Sequence, residues 1–322
     1  MNASPPLKSF LLPKVSIIIL NWNTPDLNCQ LIDSLKSNLT YQNVEIIVVD
    51  NGSIIDPTNL IKAIIPEVFV IRNSTNLGFS KGCNIGMQVA SGDYLFLLNS
   101  DTEITLGLLE KLVDSFKSNS EIGIVSPRVH SLTEKNKVEY TGYSSVHPIT
   151  GRSTIYHSLN QPLLSDNGLC ETQYAYGAAM MISRQVYEQV GGICEDYFAY
   201  YEELDWSNRI REKGFKVYCN TTALVYHKGS ASTLKISPLK TFLMTRNRIL
   251  FMKRNVNWFN YYLFMIYFIL LVIPKQLVSY LVKFQFKNIQ PFFNGLNYHL
   301  TNKKNYRFKI CENEYVLVQS MS

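Results

Sequence analysis

No two of the six cysteines (Cys29, Cys83, Cys170, Cys194, Cys219 and Cys311) stand in a CxxC pair. The chain therefore has neither a zinc-binding spacing nor a disulfide framework, and buried reduced thiols are the expectation. The GxGxxG fingerprint of dinucleotide binding is missing, which argues against a nicotinamide dehydrogenase. Residues 21–26 offer no Gly-rich phosphate loop with a basic residue, which a nucleotidyltransferase would be expected to carry after its first strand. Residues 1–13 are polar and Pro-bearing and lack the long apolar run of a secretory signal, which places the catalytic part in the cytosol. Internal repeats and low-complexity tracts are absent too. Charge is sparse at 17% against 46% hydrophobic residues, so 322 residues can bury a sizeable core and wholesale disorder is excluded.

The net charge of +6 is unevenly spread. From Lys240 to the end, twelve Lys and Arg face only Glu312 and Glu314, about +10, which leaves about −4 for the rest. These charges flank an aromatic and aliphatic run over residues 258–273, with Lys253 and Arg254 before it and Lys275, Lys283 and Lys287 after. That arrangement favours an anionic membrane surface over nucleic acid as the partner. Sixteen residues fall short of the ~20 that a straight spanning helix needs, and lengthening the run to Val282 takes in Pro274, Lys275 and Gln276. An in-plane or re-entrant anchor within residues 258–282 is the expectation, with a helix buried against the rest of the chain as the alternative.

The opening half alternates strand and helix signals. Residues 15–20, 44–49, 68–71, 94–98 and 122–125 read as strands of a parallel sheet buried on both faces. Thr24 and Pro25 read as N-cap and first position of a helix carrying Leu27, Leu31, Ile32 and Leu35, and residues 80–90 and 106–116 as further helices. The fold class is therefore α/β, a doubly wound and mostly parallel sheet whose ligands sit at the carboxyl ends of its strands. Periodicity fades over residues 129–171, a length of irregular chain that usually serves function or motion. A strand over 178–182, helices over 184–190 and 204–213, and two short strands over 216–219 and 223–226 follow.

Candidate chemistry collects at the strand ends. Asp50 follows the second strand, where a carboxylate accepts hydrogen bonds from a base or ribose, unless it only shapes the turn with Asn51 and Gly52. Gly78, Gly82 and Gly86 recur every four residues and share a helix face, which serves packing or ligand approach; the amides of Asn76 and Asn84 tilt this toward base recognition. Asp101, after the strand over 94–98, is placed to hold a divalent cation and through it a diphosphate. His227, at another strand end, either completes that shell, more readily for Mn2+ than Mg2+, or is a hydrogen-bonded core residue. Glu195, Asp196, Glu202, Glu203 and Asp205 lie among Tyr197, Phe198, Tyr200, Tyr201 and Trp206. Like charges beside aromatics raise a carboxyl toward the range of a general base, and the rings suit sugar faces; a solvated acidic helix start is the alternative.

In this order the segments resemble the family 2 inverting glycosyltransferases of the type A fold, especially the rhamnosyltransferase-like branch of bacterial surface polysaccharide synthesis. The likeness runs over residues 15–227. It implies that Asn23, closing Val-Ser-Ile-Ile-Ile-Leu-Asn-Trp-Asn, contacts the nucleotide base, and that Asp50 binds base or ribose. Asn76, Gly78, Phe79 and Asn84 match the donor segment Asn-x-Gly-Phe…Asn-x-Gly, and Asn99-Ser100-Asp101 the metal-binding Asp-x-Asp, with Asn99 in place of the first Asp. Gly177 and Ala178, in Tyr-Gly-Ala-Ala, resemble the acceptor-side segment. Tyr201-Glu202-Glu203-Leu204-Asp205 matches Glu-Asp-x-Asp, which makes Glu203 the catalytic base, with Asp205 able to share the role, and leaves Glu202 and Trp206 beside the substrate. His227 matches a metal-binding histidine of some members.

The resemblance implies a metal-dependent single displacement with Mn2+ or Mg2+. The donor is a UDP- or dTDP-type sugar, rhamnose among the candidates, and the acceptor a glycan or a lipid-linked one. The expected organisation is an N-terminal extension (1–13), a catalytic domain (14–240, donor half 14–128 and acceptor half 129–240) and a basic helical tail (241–322). The protein is expected in the cytoplasm, at the inner face of the plasma membrane, and homo-oligomerisation is left open. A catalytically decayed sugar-binding or complex-forming protein of the same fold is the rival, for which Asn99 is the motive.

Overall fold

The computed structural model describes residues 12–158, 168–229, 237–300, 306–311 and 314–319; the N-terminal expectation falls almost wholly outside them. Strand β1 (Val15–Asn21) leads into helix α1 (Pro25–Asn38), followed by β2 (Val44–Asp50), α2 (Thr58–Ile64), β3 (Phe69–Arg72), α3 (Phe79–Val89) and β4 (Tyr94–Asn99). Next come β5 (Thr102–Ile104), α4 (Leu108–Ser118), β6 (Ile122–Ser131) and the short strands β7 (Val138–Tyr140), β8 (Gly142–Tyr143), β9 (Ile155–Tyr156) and β10 (Leu169–Thr172). Strand β11 (Ala179–Ser183), helices α5 (Arg184–Val190) and α6 (Glu202–Glu212) and strand β12 (Lys216–His227) complete the sheet-bearing part.

The main sheet runs β10-β12-β6-β11-β4-β1-β2-β3. Neighbours from β3 to β4 are parallel, as are β6 and β12, while β11 enters antiparallel between β4 and β6. Helices cover both faces. Ile17 and Ile19 of β1 pack with Leu31 of α1, Ile61 of α2 and Leu112 of α4; Ile18 packs on the other face with Met87 of α3, Val186 of α5 and Ile210 of α6. This double coverage explains why β1 and β2 read as continuous apolar runs and not as alternation. Gly82 and Gly86 put α3 directly on the sheet, since a Cβ at either would run into Leu20 or Ile18. Packing is therefore the use of this pair.

Some elements differ from expectation. Thr24 precedes α1 without capping it, because its hydroxyl donates to Asn21 Oδ1 at 3.2 Å. The two strands expected over 216–219 and 223–226 are one, β12, whose register jumps between Asn220 and Leu224. Asn220 Oδ1 accepts from Thr222 N, Thr222 Oγ1 and Ala223 N and so satisfies the bulge internally.

Helix α7 (Pro238–Asn255) crosses the expected boundary at 240/241, and most of its length from Thr241 to Met252 is buried. Helix α8 (Trp258–Val282) continues through Pro274. Proline has no N–H for the Leu270 carbonyl, and the turn before it, Phe268–Val272, widens to π geometry and carries the helix through. Helix α9 (Ile289–Asn297) packs on α7, and β13 (Tyr306–Cys311) pairs antiparallel with β14 (Glu314–Gln319).

Candidate active site

A cavity of about 480 Å3 opens at the carboxyl ends of β1 and β4, where ligands of such sheets bind. Eight of the expected residues line it: Phe79, Asn99, Asp101, Gly177, Ala178, Glu202, Glu203 and His227, joined by Trp22 and Glu139. Strand pairing brings the polar floor together. His227, the last residue of β12, lies opposite Thr102 of β5, so its ring meets the carboxylate of the preceding Asp101, Nε2 to Oδ1 at 3.3 Å. Glu139 arrives on β7, the hairpin partner of β6, and its Oε2 takes His227 Nδ1 at 2.9 Å. Burial alone would lower the imidazole pKa, but hydrogen bonds and charge from Asp101 and Glu139 outweigh it and lift the ring to about 9.

Asp101 and His227 offer a divalent cation two ligand atoms, and no group of three His, Cys, Asp or Glu set to hold a metal ion is found among the described residues. On an octahedral ion with bonds near 2.1 Å, adjacent ligand atoms lie ~3.0 Å apart, close to the Asp101–His227 separation. Glu139 sits on the remote ring nitrogen, the position from which a carboxylate orients a histidine that binds a metal.

The opposite wall is the start of α6. The carboxyl of Glu203 accepts from the backbone N–H of Glu203 and Leu204; burial still pushes it up to about 7, against these lowering bonds. Glu202 is more deeply enclosed, and burial together with the Glu203 charge holds its carboxyl well above the usual range. One of its oxygens, Oε2, has no partner among the described residues. The pair thus combines a Glu202 held toward its neutral form with a Glu203 that gives and takes a proton readily near neutrality.

The turn before α6 is strained and tightly held. Phe198, Tyr200 and Tyr201 have φ of 64°, 73° and 74°, left-handed conformations that cost ~1–3 kcal/mol each outside glycine. Arg246 Nη2 of α7 donates to the carbonyls of Asp196 and Tyr197, and Asn247 Nδ2 to those of Tyr197, Ala199 and Tyr200. From the other side the Phe79 and Ser80 N–H groups donate to the Phe198 carbonyl at 2.6 and 3.3 Å. Gly78, at φ 87°, lies so close to Phe198 that a Cβ would clash. The Asn-x-Gly-Phe segment therefore serves here to seat the acidic turn.

Seven expected residues do not reach the cavity, Gly78, seated against Phe198, among them. Asp205 is 1% exposed and accepts from Tyr197 Oη, Arg209 Nε, Arg254 Nε and Asn255 Nδ2 at 3.0–3.1 Å, so it is an ion-pair hub and has no access to an acceptor. Trp206 is buried under the sheet with Nε1 on the Gly191 carbonyl, facing no sugar. Asp50 is fully buried, its oxygens held by Asn21 Nδ2, Ser53 and Arg72, which is the turn-shaping alternative. Asn76 Oδ1 accepts from Asn51 and Gly78, and Asn84 bonds the Ile193 backbone and Glu195, so these amides tie segments together. Asn23 bonds Ser53 and Ile54.

Sequence reading missed Glu139, which sits in a stretch without periodicity. It also missed Arg246 and Asn247, although their spacing from Phe242, Leu243 and Leu250 places both on the buried stripe of a helix.

Residues 16–191 match the family model described as glycosyl transferase family 2. The chain belongs to this family. Among relatives of this family 2 glycosyltransferase, the "Low-salt glycan biosynthesis hexosyltransferase Agl10" of Haloferax volcanii is 27% identical over 248 residues, 74% of this chain and 76% of that protein. The "dTDP-rhamnosyl transferase RfbF" of Shigella flexneri is 22% identical over 249 residues, 74% and 79% of the two chains. Among solved structures, the mannosyltransferase PcManGT of Pyrobaculum calidifontis, in complex with GDP-Man and Mn2+, superposes with a TM-score of 0.56 at 11% identity, covering 92% of this chain and 89% of that one. The fold is thus the glycosyltransferase A type, as the motif order implied.

Proposed function

We propose that this family 2 enzyme transfers a sugar from a nucleotide diphosphate donor by single displacement with inversion, with Glu203 as the base, for the synthesis of a cell-surface glycan. The observation that carries the reading is the position of Glu203, a carboxyl held near neutrality in the wall of the cavity whose floor is Asp101 and His227. Glu203 takes the proton of the acceptor hydroxyl as that oxygen attacks the anomeric carbon. Asp101 and His227, with Asn99 beside them, hold a divalent cation, whose charge offsets that of the departing diphosphate when bound. Relatives named for hexosyl and dTDP-rhamnosyl transfer support a hexose or rhamnose as the sugar and dTDP as a carrier. The test is a panel of nucleotide sugars with Mn2+ present, reading thermal stabilisation, transfer and hydrolysis. A donor that stabilises and turns over supports the reading; binding without any turnover favours the decayed, sugar-binding protein.

Cation binding has its own expectation. Glu139→Gln loosens the orientation of His227 and should weaken Mn2+ affinity ~10- to 100-fold. Titration calorimetry with Mn2+ in the presence of the donor nucleotide checks it, and an unchanged affinity would remove Glu139 from the cation site.

We further propose that α8 lies in the plane of an anionic membrane surface on the cytoplasmic side. One helix among the described residues is long and apolar enough to cross a membrane, and at ~37 Å it could reach. A seam through its middle, Phe264, Phe268 and Val272, is buried against Phe251 and Met252 of α7, however, and a spanning pose would drag the buried Arg246 and Arg248 into hydrocarbon. Outside that seam Tyr262, Ile266, Ile269 and Leu270 are exposed. Ile269→Glu with Leu270→Glu should abolish co-sedimentation with vesicles containing phosphatidylglycerol without lowering the melting temperature. Undiminished sedimentation would refute the docking face.

A further inference from the structure

On the other side of Glu203 lies a second cavity, of about 500 Å3, which shares Glu203 and Tyr200 with the first. Its wall is basic. Arg152 stands exposed at the rim, Lys240 beside Tyr200, and Arg248 deeper, only 7% exposed. Among the described residues no carboxylate lies within ion-pair distance of Arg152 or Arg248. Arg248 bonds the Thr150 carbonyl and the Tyr267 hydroxyl, both neutral, and rests over the rings of Phe264 and Phe268 at 5.9 and 5.2 Å. Burial lowers its pKa, and the like charge of Arg152 adds to that shift.

A buried cation without a counter-charge is costly, and two guanidinium groups sharing one cavity cost more, unless an anion completes the site. Guanidinium forks match phosphate oxygens in geometry and charge. Next to them the lining is apolar, with Phe268, Val272 and Tyr280 of α8 and Phe292 of α9, and α8 exposes further apolar side chains outside the cavity. An anion site beside an apolar track fits a phosphate ester whose other substituent is apolar.

We propose that this cavity is the acceptor subsite and takes a phosphate-bearing acceptor, the phosphate seated between Arg152 and Arg248 and the hydroxyl to be glycosylated facing Glu203. This rests on the transferase reading of Glu203. The chain then receives its acceptor from a reaction that has already attached a phosphate.

The test is calorimetry on the full chain in EDTA, which leaves no divalent cation for Asp101 and His227, with dodecyl phosphate below its micelle concentration, inorganic phosphate and dodecyl maltoside as probes. Binding of dodecyl phosphate that Arg152→Glu weakens at least ~tenfold, the loss expected for one charge-assisted hydrogen bond, and that Arg152→Lys partly restores, supports the site. Because Arg152 is exposed, its variants keep the fold, whereas Arg248 also holds Thr150. Dodecyl phosphate binding tighter than inorganic phosphate identifies a lipid-borne phosphate; equal binding identifies a soluble phosphorylated acceptor. Dodecyl maltoside binding as tightly as dodecyl phosphate, or phosphate binding indifferent to Arg152→Glu, overturns the proposal. Thermal stabilisation by UDP or dTDP with Mn2+ is measured in parallel. Its absence together with intact phosphate binding would count against the transferase reading and leave the anion site standing.

Discussion

Glu203→Gln is expected to lower kcat roughly 10²- to 10⁴-fold, the range that removal of a general base produces, while donor binding stays unchanged. The amide keeps the size of the side chain and the helix-start contacts, so the loss would report the proton transfer alone. Glu202→Gln should do far less, because burial and the Glu203 charge hold the Glu202 carboxyl toward its neutral form, which the amide imitates. The pH profile supplies a second check. With Glu203 lifted to about 7, the ionised base is the minority below that pH. The value of kcat/KM should therefore climb about tenfold per unit up to ~pH 7 and flatten above it, with Glu202→Gln retaining the same shape. Wild-type turnover in Glu203→Gln, or a flat profile between pH 5 and 8, would remove Glu203 from the chemistry.

The largest effect on stability should come from Asp205→Ala. Its carboxylate is enclosed and receives Tyr197, Arg209, Arg254 and Asn255, so truncation leaves two guanidinium groups facing a void. Breaking a buried pair on one side costs ~3–5 kcal/mol; the arginines are partly exposed and water replaces some of the loss, which argues for about 3 kcal/mol. Urea unfolding reads it as a lower midpoint at unchanged m. A variant as stable as the wild type but inactive would return Asp205 to the catalytic roles expected of it from sequence.

Much of the donor half was legible because its strands are covered on both faces, so Ile17–Ile19 and Ile46–Val49 announce themselves as apolar runs whatever lies around them. The candidate cavity was legible where chemistry and topology agree, at Asp101, Glu203 and His227. What escaped depended on tertiary placement. Glu203 and Asp205 sit in one acidic motif, but two residues on a helix are ~200° apart, so one faces the cavity and the other the α7 seam. Asn76, Asn84 and Asp50 looked like ligand-facing groups because strand ends and Gly-rich turns so often carry ligands; their partners here, Asn51, Ile193 and Ser53, are distant or featureless in the sequence. The tail was read by its net charge and its apolar run, and the helical spacing that puts Arg246 and Asn247 on a buried stripe went unused.

The clamp on the strained turn has a consequence in the order of synthesis. The carbonyls of Tyr197, Ala199 and Tyr200 are held by Asn247, which leaves the ribosome about 45 residues after Glu202. At ~5–20 residues per second, a nascent chain spends seconds with its sheet complete and its acidic turn without the α7 half of its clamp. A chain cut between α6 and α7 would be left in that condition for good. If Glu203 is the base proposed above, such a chain would keep the Asp101 and His227 floor while Glu203 lacked its α7 support, and a nucleotide sugar would not be spent before the helix that leads on to α8 has docked.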